Sequence, residues 1–390
     1  LKEQGKDTEA TQYLLSDPLD QSNYITVQNY TDNSINVCLP STYAFVDKVM
    51  YELQQMYRQA GLKLSTFHMG GDETGAGSWT ASVACQQLIA TPDSGVAGVA
   101  DLKPYFVAKV AQLAANRQLI LGGWEDGLMY DAKNPFNRKQ FANEKVYANV
   151  WDNIWEWGVA DRAYRLANAG YQVVLSHGSH LYFDHPYEAH PEERGYYWAA
   201  RFTDVAKVFG YMPDDLYANA DKTREGKVID DLETLLGKEL PALEKPENIL
   251  GIQGQVWSET IRTPEQLEKM LYPRLLALAE RAWYKAEWEG AKPDTEKRQQ
   301  DWQRFGWTLT QKELPRLAEA AVALYLPPPG AVLQDGLLLA NSAWPGLTIE
   351  YSEDQGQSWL PYSEAVKVSS NLLLRTKAKN GATSRVTQLD

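Results

Sequence analysis

Residues 64–75 read LSTFHMGGDETG. The first four have the short apolar character of a β-strand. The residues after Phe67 do not look like core: a histidine, two glycines, then an aspartate and a glutamate side by side. The same succession recurs along the chain. Strands are predicted at 118–124, 146–151, 171–176 and 249–256. At or just beyond their C-terminal ends stand Trp124 to Asp126, Trp151 and Asp152, Tyr182 and Asp184, and Trp257 and Glu259. Between them the spacing predicts helices. One covers 41–60, with Ser41 as N-cap, Phe45, Val49, Leu53 and Met56 at helical spacing, and Gly61 as its stop. Others cover 101–117, 156–169 (closed by Gly170), 264–283 and about 298–321.

Strand, helix, strand in repetition means parallel pairing, and short apolar strands suit a sheet covered on both faces. Polar residues gathered at strand C-termini are the rule in (β/α)8 barrels and in open α/β sheets. Five strands cannot close a barrel that needs eight. The expectation is therefore the last five βα units of a TIM barrel. Three more units would lie upstream, and residues 1–40 would be a loop or lead-in from that missing part. The opening LKEQGKDTEA has no Met, charged n-region or apolar h-region, which fits an absent upstream segment or a removed leader. The alternative is an open five-stranded sheet. It is disfavoured because the residue-rich loops are too numerous for one crevice.

Near 326 the character changes. LPPPG (326–330) is stiff punctuation, and 331–390 alternates in short runs at 332–339, 347–351, 365–368 and 372–376, with turns at DQGQ and KNGA. The predicted division is a partial catalytic barrel over 41–325, a linker at 326–330 and a small antiparallel β-sandwich, immunoglobulin-like, over 331–390.

Composition narrows the function. The chain has 390 residues with 38 Lys+Arg against 51 Asp+Glu, a net charge of −13. That argues against nucleic acid and against anionic lipid as partners, since both need clustered cations. No run of ~18 apolar residues exists to span a membrane. Thirteen tryptophans are present, several beside carboxylates and glycines. An indole offers a flat apolar face and one N–H donor, which suits a sugar ring with its C–H face and hydroxyl edge. Cys38 and Cys85 are the two cysteines. Too few for a disulfide scaffold and without zinc spacing, they leave two readings open, a bridge or two buried thiols.

In FHMGGDETG, Gly70 and Gly71 let the backbone bring Asp72 and Glu73 over the sheet top. A carboxyl among tryptophans is desolvated, and a raised pKa is what a general acid needs near neutral pH. Nine residues alone are equally compatible with an Asx-type turn in which Asp72 caps the next segment.

His-x-Gly-Gly-Asp-Glu resembles the signature of glycoside hydrolase family 20, the β-N-acetylhexosaminidases. GGWEDG with Trp124, NVWDNIWEWG with Trp151, LYFDHPYE with Tyr182, PEERGYYW ending at Trp198, and QVWSET with Trp257 and Glu259 resemble the same family in the same order. The whole chain is similar to the C-terminal half of bacterial chitobiases. The resemblance implies removal of terminal N-acetyl-β-D-hexosamine from chito-oligosaccharides by a retaining, substrate-assisted mechanism through an oxazolinium, with no cofactor and no metal. By position it implies that Glu73 is the general acid and that Asp72 orients the 2-acetamido group. Tyr182 would hydrogen-bond the acetamido oxygen. Trp124, Trp151 and Trp257 would wall the terminal sugar, and Trp198 would stack on the leaving sugar. Glu259 and Asp184 would bind the substrate, and His68 would support it without reacting. The family's hydroxyl-gripping Arg from the early barrel strands has no counterpart here, so an N-terminal half, upstream or as a complementary chain, is an expected partner.

Rival readings stand beside these. His177, His180, His185 and His190 near Asp184 could suggest zinc, but their spacing matches no standard pair, so loop histidines without metal are favoured. Trp155 and Trp157 are expected at the rim beside Asp152. Trp283, Trp288, Trp302 and Trp307 are expected as packing residues, as are Trp344 and Trp359. EERG (192–195) is expected to be a structural loop that presents Trp198. A non-catalytic N-acetylhexosamine-binding protein on the same scaffold is the second functional class; the presence of both acids favours the enzyme. Similar bacterial enzymes are exported, to the periplasm or outer membrane, and a Cys38–Cys85 bridge fits that.

Overall fold

Runs such as VYANV and QVVL are short and largely apolar, which suits a sheet covered on both sides. In the computed structural model, which describes residues 7–368 and 371–389, they do form such a sheet. Strands β1 (Thr66–His68), β2 (Ile120–Trp124), β3 (Val146–Val150), β4 (Gln172–Leu175) and β5 (Ile249–Ile252) lie in that order. The pairs β1–β2, β2–β3 and β3–β4 are parallel, with His68 opposite Gly122 and Trp124 opposite Asn149. Leu121, Val146, Ala148, Val150, Val173 and Leu175 are all fully buried.

The chain forms two compact units. The first runs to Asn153 and takes in Trp157–Ser176 and Gly237–Gly251. The second holds Ile154–Glu156, His177–Leu236 and the chain from Ile252 onward. Helices Pro40–Gln59 and Leu102–Asn116 belong to the first. So does Val83–Ala90, a helix that sequence spacing did not announce. Only eight residues long, it is started by the Ser82 side chain accepting the Cys85 N–H. Cys85 is bonded to Cys38, with Cα atoms 5.1 Å apart. Around the bridge Val37, Trp79, Val96 and Leu102 form a local core.

In the second unit the C-terminal segment forms two antiparallel sheets. One has order β10-β7-β6 and the other β12-β11-β8-β9, where β6 is Gly330–Gln334, β7 Leu337–Asn341, β8 Thr348–Ser352, β9 Leu360–Tyr362, β10 Val366–Lys367, β11 Leu372–Lys377 and β12 Thr387–Leu389. Strict alternation in LLLRTK turns Leu372 and Leu374 inward beside Leu338, Ile349 and Tyr351.

Several expectations are corrected. The single helix over 264–283 is two, Pro264–Leu271 and Arg274–Trp283. Pro273 has no N–H to continue the ladder and forces Tyr272 into extended backbone. The helix expected over 156–169 begins only at Arg162. The helix expected from 298 starts earlier, at Thr295, because Asp294 caps the Lys297 N–H; it then loosens into a π-turn at Leu309–Glu313. Trp155 is buried, not at a rim. Trp283 and Trp307 are 91% and 58% exposed and pack little, whereas Trp288 and Trp302 are buried. His177 and His185 lie outside helix and strand, as expected, and His180 lies in the short helix Gly178–Leu181; all three are buried. The hydroxyl of Tyr211 lies 2.6 Å from His177 Nδ1, and Ser179 Oγ lies 2.7 Å from His180 Nδ1. Burial pushes His177 and His185 down to about 3, so both are neutral at physiological pH.

Candidate active site

In the first unit the two glycine-containing loops after β1 and β2 lie against each other. A Cβ on Gly127 would come within 2.8 Å of the Gly71 backbone, and one on Gly71 within 3.2 Å of Gly127 Cα. Gly127 has no room for a side chain, and Gly71 is tightly packed with φ +93°, where a side chain would be strained. Backbone bonds fix the register. Met69 N–H donates to Gly122 O at 2.9 Å, and Trp124 N–H to Gly70 O at 3.0 Å. This close approach sets Asp72 and Glu73 beside the GGWEDG loop.

Glu73 carries a positive φ of +50°. Its N–H donates to Asp126 Oδ2 at 2.7 Å, and its carboxylate accepts a hydrogen bond from the Gln28 amide. Burial raises the Glu73 pKa, the Gln28 hydrogen bond opposes that, and Asp72 and Asp126 add to it. Burial also raises Asp72, with Asp126 acting in the same sense and Lys103 against it. Asp126 in turn accepts the Trp151 indole N–H at 3.3 Å, and its backbone carbonyl accepts from Lys103 Nζ at 2.6 Å. His68 sits edge-on to Trp124, with ring centroids 5.4 Å apart, and accepts the Gly70 N–H at 3.2 Å. Below this lies Glu125, fully buried. It accepts the N–H groups of Trp151 (3.1 Å) and Asp152 (3.0 Å), and Arg162 is 3.8 Å away. Burial, then Asp126 and Asp152, push its pKa well up. Glu125 thus clamps the end of β3 and orients Trp151. A cavity of about 270 Å³ is lined by Thr26, Gln28, Asp72, Glu73, Trp79 and Lys103, among others.

The second unit gathers the other expected residues. Residues 181–183 pair with Gln255: Gln255 N–H donates to Leu181 O at 2.8 Å, and Phe183 N–H to Gln255 O at 2.6 Å. Tyr182 therefore stands beside Trp257 (6.3 Å) and Trp198 (5.2 Å, edge-on). Asp184 accepts the Trp257 N–H at 3.4 Å. Burial pushes its pKa up to about 6, with Glu259 contributing and the Trp257 N–H opposing. Glu259 is exposed, its carbonyl held by Arg262 at 2.6 Å. The buried guanidinium of Arg274 donates to the carbonyls of Phe183, His185, Thr203 and Met270, at 2.5–3.0 Å. It ties both ends of the segment that presents Asp184 and Trp198.

Each unit thus groups its own expected residues: His68, Asp72, Glu73, Trp124 and Trp151 in the first, Tyr182, Asp184, Trp198, Trp257 and Glu259 in the second. Sequence reasoning did not single out Gln28, Lys103 or Arg274, and it placed Glu125 only within the stretch Trp124 to Asp126. Glu125 and Asp126 had a signal, their place at a strand end in GGWEDG. Gln28 and Arg274 had none, because Gln28 meets Glu73 45 positions away and three of the four carbonyls that Arg274 binds are 71 or more positions away. Among the described residues, no cluster of three or more His, Cys, Asp or Glu could hold a metal ion.

Comparison with known proteins identifies the family. The family described as "Glycosyl hydrolase family 20, catalytic domain" matches residues 5–286, and "Chitobiase/beta-hexosaminidase C-terminal domain" matches 313–386. A beta-hexosaminidase of Vibrio vulnificus is 37% identical over 99% of this chain and 47% of that protein. An N,N'-diacetylchitobiase of Vibrio harveyi is 37% identical over 100% of this chain and 48% of that protein. The chain spans about half the length of these relatives. In fold it is similar to a GH20 exo-β-N-acetylglucosaminidase of Vibrio harveyi solved with N-acetylglucosamine. The TM-score is 0.56 at 24% identity, covering 82% of this chain and 41% of that one. With an α/β region built on a parallel sheet, an antiparallel β domain after it, and a family match over most of its length, the chain belongs to glycosyl hydrolase family 20.

Proposed function

We propose that this protein removes terminal non-reducing N-acetyl-β-D-hexosamine from chitobiose and chito-oligosaccharides, with retention and with the substrate's acetamido oxygen as nucleophile. The observation that carries the proposal is the pair Asp72–Glu73, adjacent at a strand end beside Asp126, with Glu73 held toward the protonated form by burial. A retaining glycosidase ordinarily needs a second carboxylate about 5–5.5 Å from the first, and substrate-assisted enzymes are the exception. Glu73 protonates the glycosidic oxygen and then takes the proton from water. Asp72 orients the acetamido group and balances the charge that develops on its nitrogen. Tyr182 hydrogen-bonds the acetamido oxygen. Trp124, Trp151 and Trp257 shield the terminal sugar from water, Trp198 stacks on the leaving sugar, and Glu259 and Asp184 take ring hydroxyls. His68 supports Trp124. The acetamido oxygen attacks the anomeric carbon as the glycosidic bond breaks, a proximity effect within one molecule.

The proposal includes the architecture. The five parallel strands are the last five of a (β/α)8 barrel, completed by an N-terminal half. The catalytic region ends near 325, and a β-sandwich follows after 330. It also places the protein outside the cytoplasm, in the periplasm or at the outer membrane. Support comes from the Cys38–Cys85 bridge, which an oxidising compartment maintains. Two free thiols on denaturation would reject that bridge.

The test is Glu73→Gln in the full-length protein. Hydrolysis of an aryl N-acetyl-β-glucosaminide is expected to fall at least about 100-fold, and strong inhibition by a thiazoline mimic of the oxazolinium is expected of the wild type. Unchanged hydrolysis would remove Glu73 from its role. Equal inhibition by a mimic lacking the acetamido group would count against substrate assistance. A non-catalytic sugar-binding protein needs neither acid, and wild-type binding without turnover would favour it.

A further inference from the structure

Three carboxylates, Glu188, Glu192 and Glu193, stand on the short loop that leads to Trp198. All three face one cation from the β domain, Arg385, just before β12. Its Nη2 pairs with Glu188, its Nη1 lies 3.8 Å from Glu192, and its Nε donates to Glu193 at 3.5 Å. Glu192 is exposed and adds little. Glu193 is 8% exposed, and it also accepts the Tyr325 hydroxyl at 3.2 Å. Tyr325 stacks on Tyr187 at 3.7 Å, and Tyr187 lies under the Arg274 guanidinium at 3.8 Å. Without the guanidinium, neighbouring carboxylates on one loop repel each other, one of them out of water.

The inner face of the loop meets the sugar-binding residues directly. Gly195 has φ +122°, and a Cβ there would come within 2.1 Å of the Asp184 carbonyl oxygen. Loop backbone therefore lies on Asp184 backbone. Three residues on, Trp198 packs against Tyr182 and against His185 (5.4 Å), whose Nε2 accepts the Ala199 N–H at 3.1 Å. The outer side of this segment is held by charge from the β domain and its inner side by close packing.

We propose that Arg385 is a positioning residue: from the β domain it clamps the 186–195 loop and so fixes Trp198 as the platform for the leaving sugar. This rests on the hydrolase reading above and assigns the β domain a part in it. A planar fork of five donors serves several carboxylates at once, which a lysine ammonium does not reproduce.

The experiment uses the full-length protein with Arg385→Ala and, as a milder change, Glu193→Gln. Two substrates are compared: N,N'-diacetylchitobiose, whose leaving sugar needs a platform, and N-acetyl-β-glucosaminyl fluoride, whose leaving atom does not. The expected result is a fall of about tenfold in kcat/KM for the disaccharide and a change within about twofold for the fluoride. Arg385→Lys should restore part of the loss, and hydrogen exchange of the 188–198 amides should rise in Arg385→Ala. Equal loss on both substrates, or no loss on the disaccharide, overturns the proposal. If Arg385→Ala does not fold, Glu193→Gln decides by the same comparison. Should the wild type turn over neither substrate, the hydrolase reading fails separately. Exchange then decides the clamp, upheld by faster exchange in the variant and overturned by unchanged exchange.

Discussion

Glu73 sits in a region of backbone space that non-glycine residues avoid, and it stays there because Asp126 holds its amide. Its protonation is a contest between burial, which raises the pKa, and the Gln28 amide, which stabilises the anion. In the proposed role of general acid Glu73 must be protonated to act, so removing Gln28 has a defined sign. Gln28→Ala should raise the Glu73 pKa further and move the alkaline limb of the kcat profile to higher pH in the full-length protein. A limb that stays or moves down would exclude that role for Gln28. Asp184 allows a stability test. Its folded pKa of about 6 lies above the ordinary 3.8. Between these values the folded state binds the extra proton, so wild-type stability falls as pH rises from about 4 to about 6, by at most about 3 kcal/mol. Asp184→Asn should lack that part of the dependence in denaturant unfolding at each pH, and identical pH profiles would contradict the shift.

At the scale of elements, the segment carrying Gln28 is laid out by side-chain bonds to the helix Val83–Ala90, not by secondary structure of its own. Asp17 accepts from Ser82 Oγ and from the Ala84 N–H, Asn36 donates to Ser82 at 2.8 Å, and Trp79 donates to Ile35 O at 2.8 Å. The Cys38–Cys85 bridge closes this arrangement across 47 positions, a span that includes Asp72 and Glu73. Loop-closure entropy for that length is worth about 4 kcal/mol at most. Replacing both cysteines by alanine should lower unfolding free energy by about 2–4 kcal/mol and weaken the hold on Gln28. Denaturant unfolding measures the first, and a loss under about 0.5 kcal/mol would show that the bridge contributes nothing to stability. The five parallel strands, by contrast, were legible from their apolar runs, whereas the run expected over 332–339 is the two strands Gly330–Gln334 and Leu337–Asn341, turned at Asp335 and Gly336. Pro273 marks the break before Arg274 in the sequence itself, since a proline inside a helical pattern ends it.

At the scale of the molecule, the C-terminal β domain is packed into the second unit by specific contacts. Pro345 fills the place a side chain on Gly306 would occupy, its carbonyl accepts from Thr310 Oγ1 at 2.7 Å, Gln311 donates to Gly346 O at 2.8 Å, and Trp344 lies 6.2 Å from Tyr325. Ending the full-length protein at Leu326 would uncover these surfaces and free the three glutamates from Arg385. The truncated protein is expected to aggregate or to melt at least about 4 °C lower in a thermal scan. A soluble truncation with unchanged Tm would show that the domain packs without consequence.

The order of the five parallel strands and the β character of the last sixty residues were determined by local chemistry, and local chemistry is written along the chain. Apolar runs choose strands, and a cap or a proline bounds a helix. Tertiary structure alone decided that Gln28 touches Glu73, that Glu125 is buried as a clamp on Trp151, that Arg274 binds four carbonyls and that Arg385 meets Glu188 and Glu193. Arg385 and Glu188 are 197 positions apart. A pairing of that kind leaves no periodicity to find. A hydrogen bond or ion pair depends on where two side chains meet in space, and that is set by the packing of the whole chain rather than by the residues beside either partner.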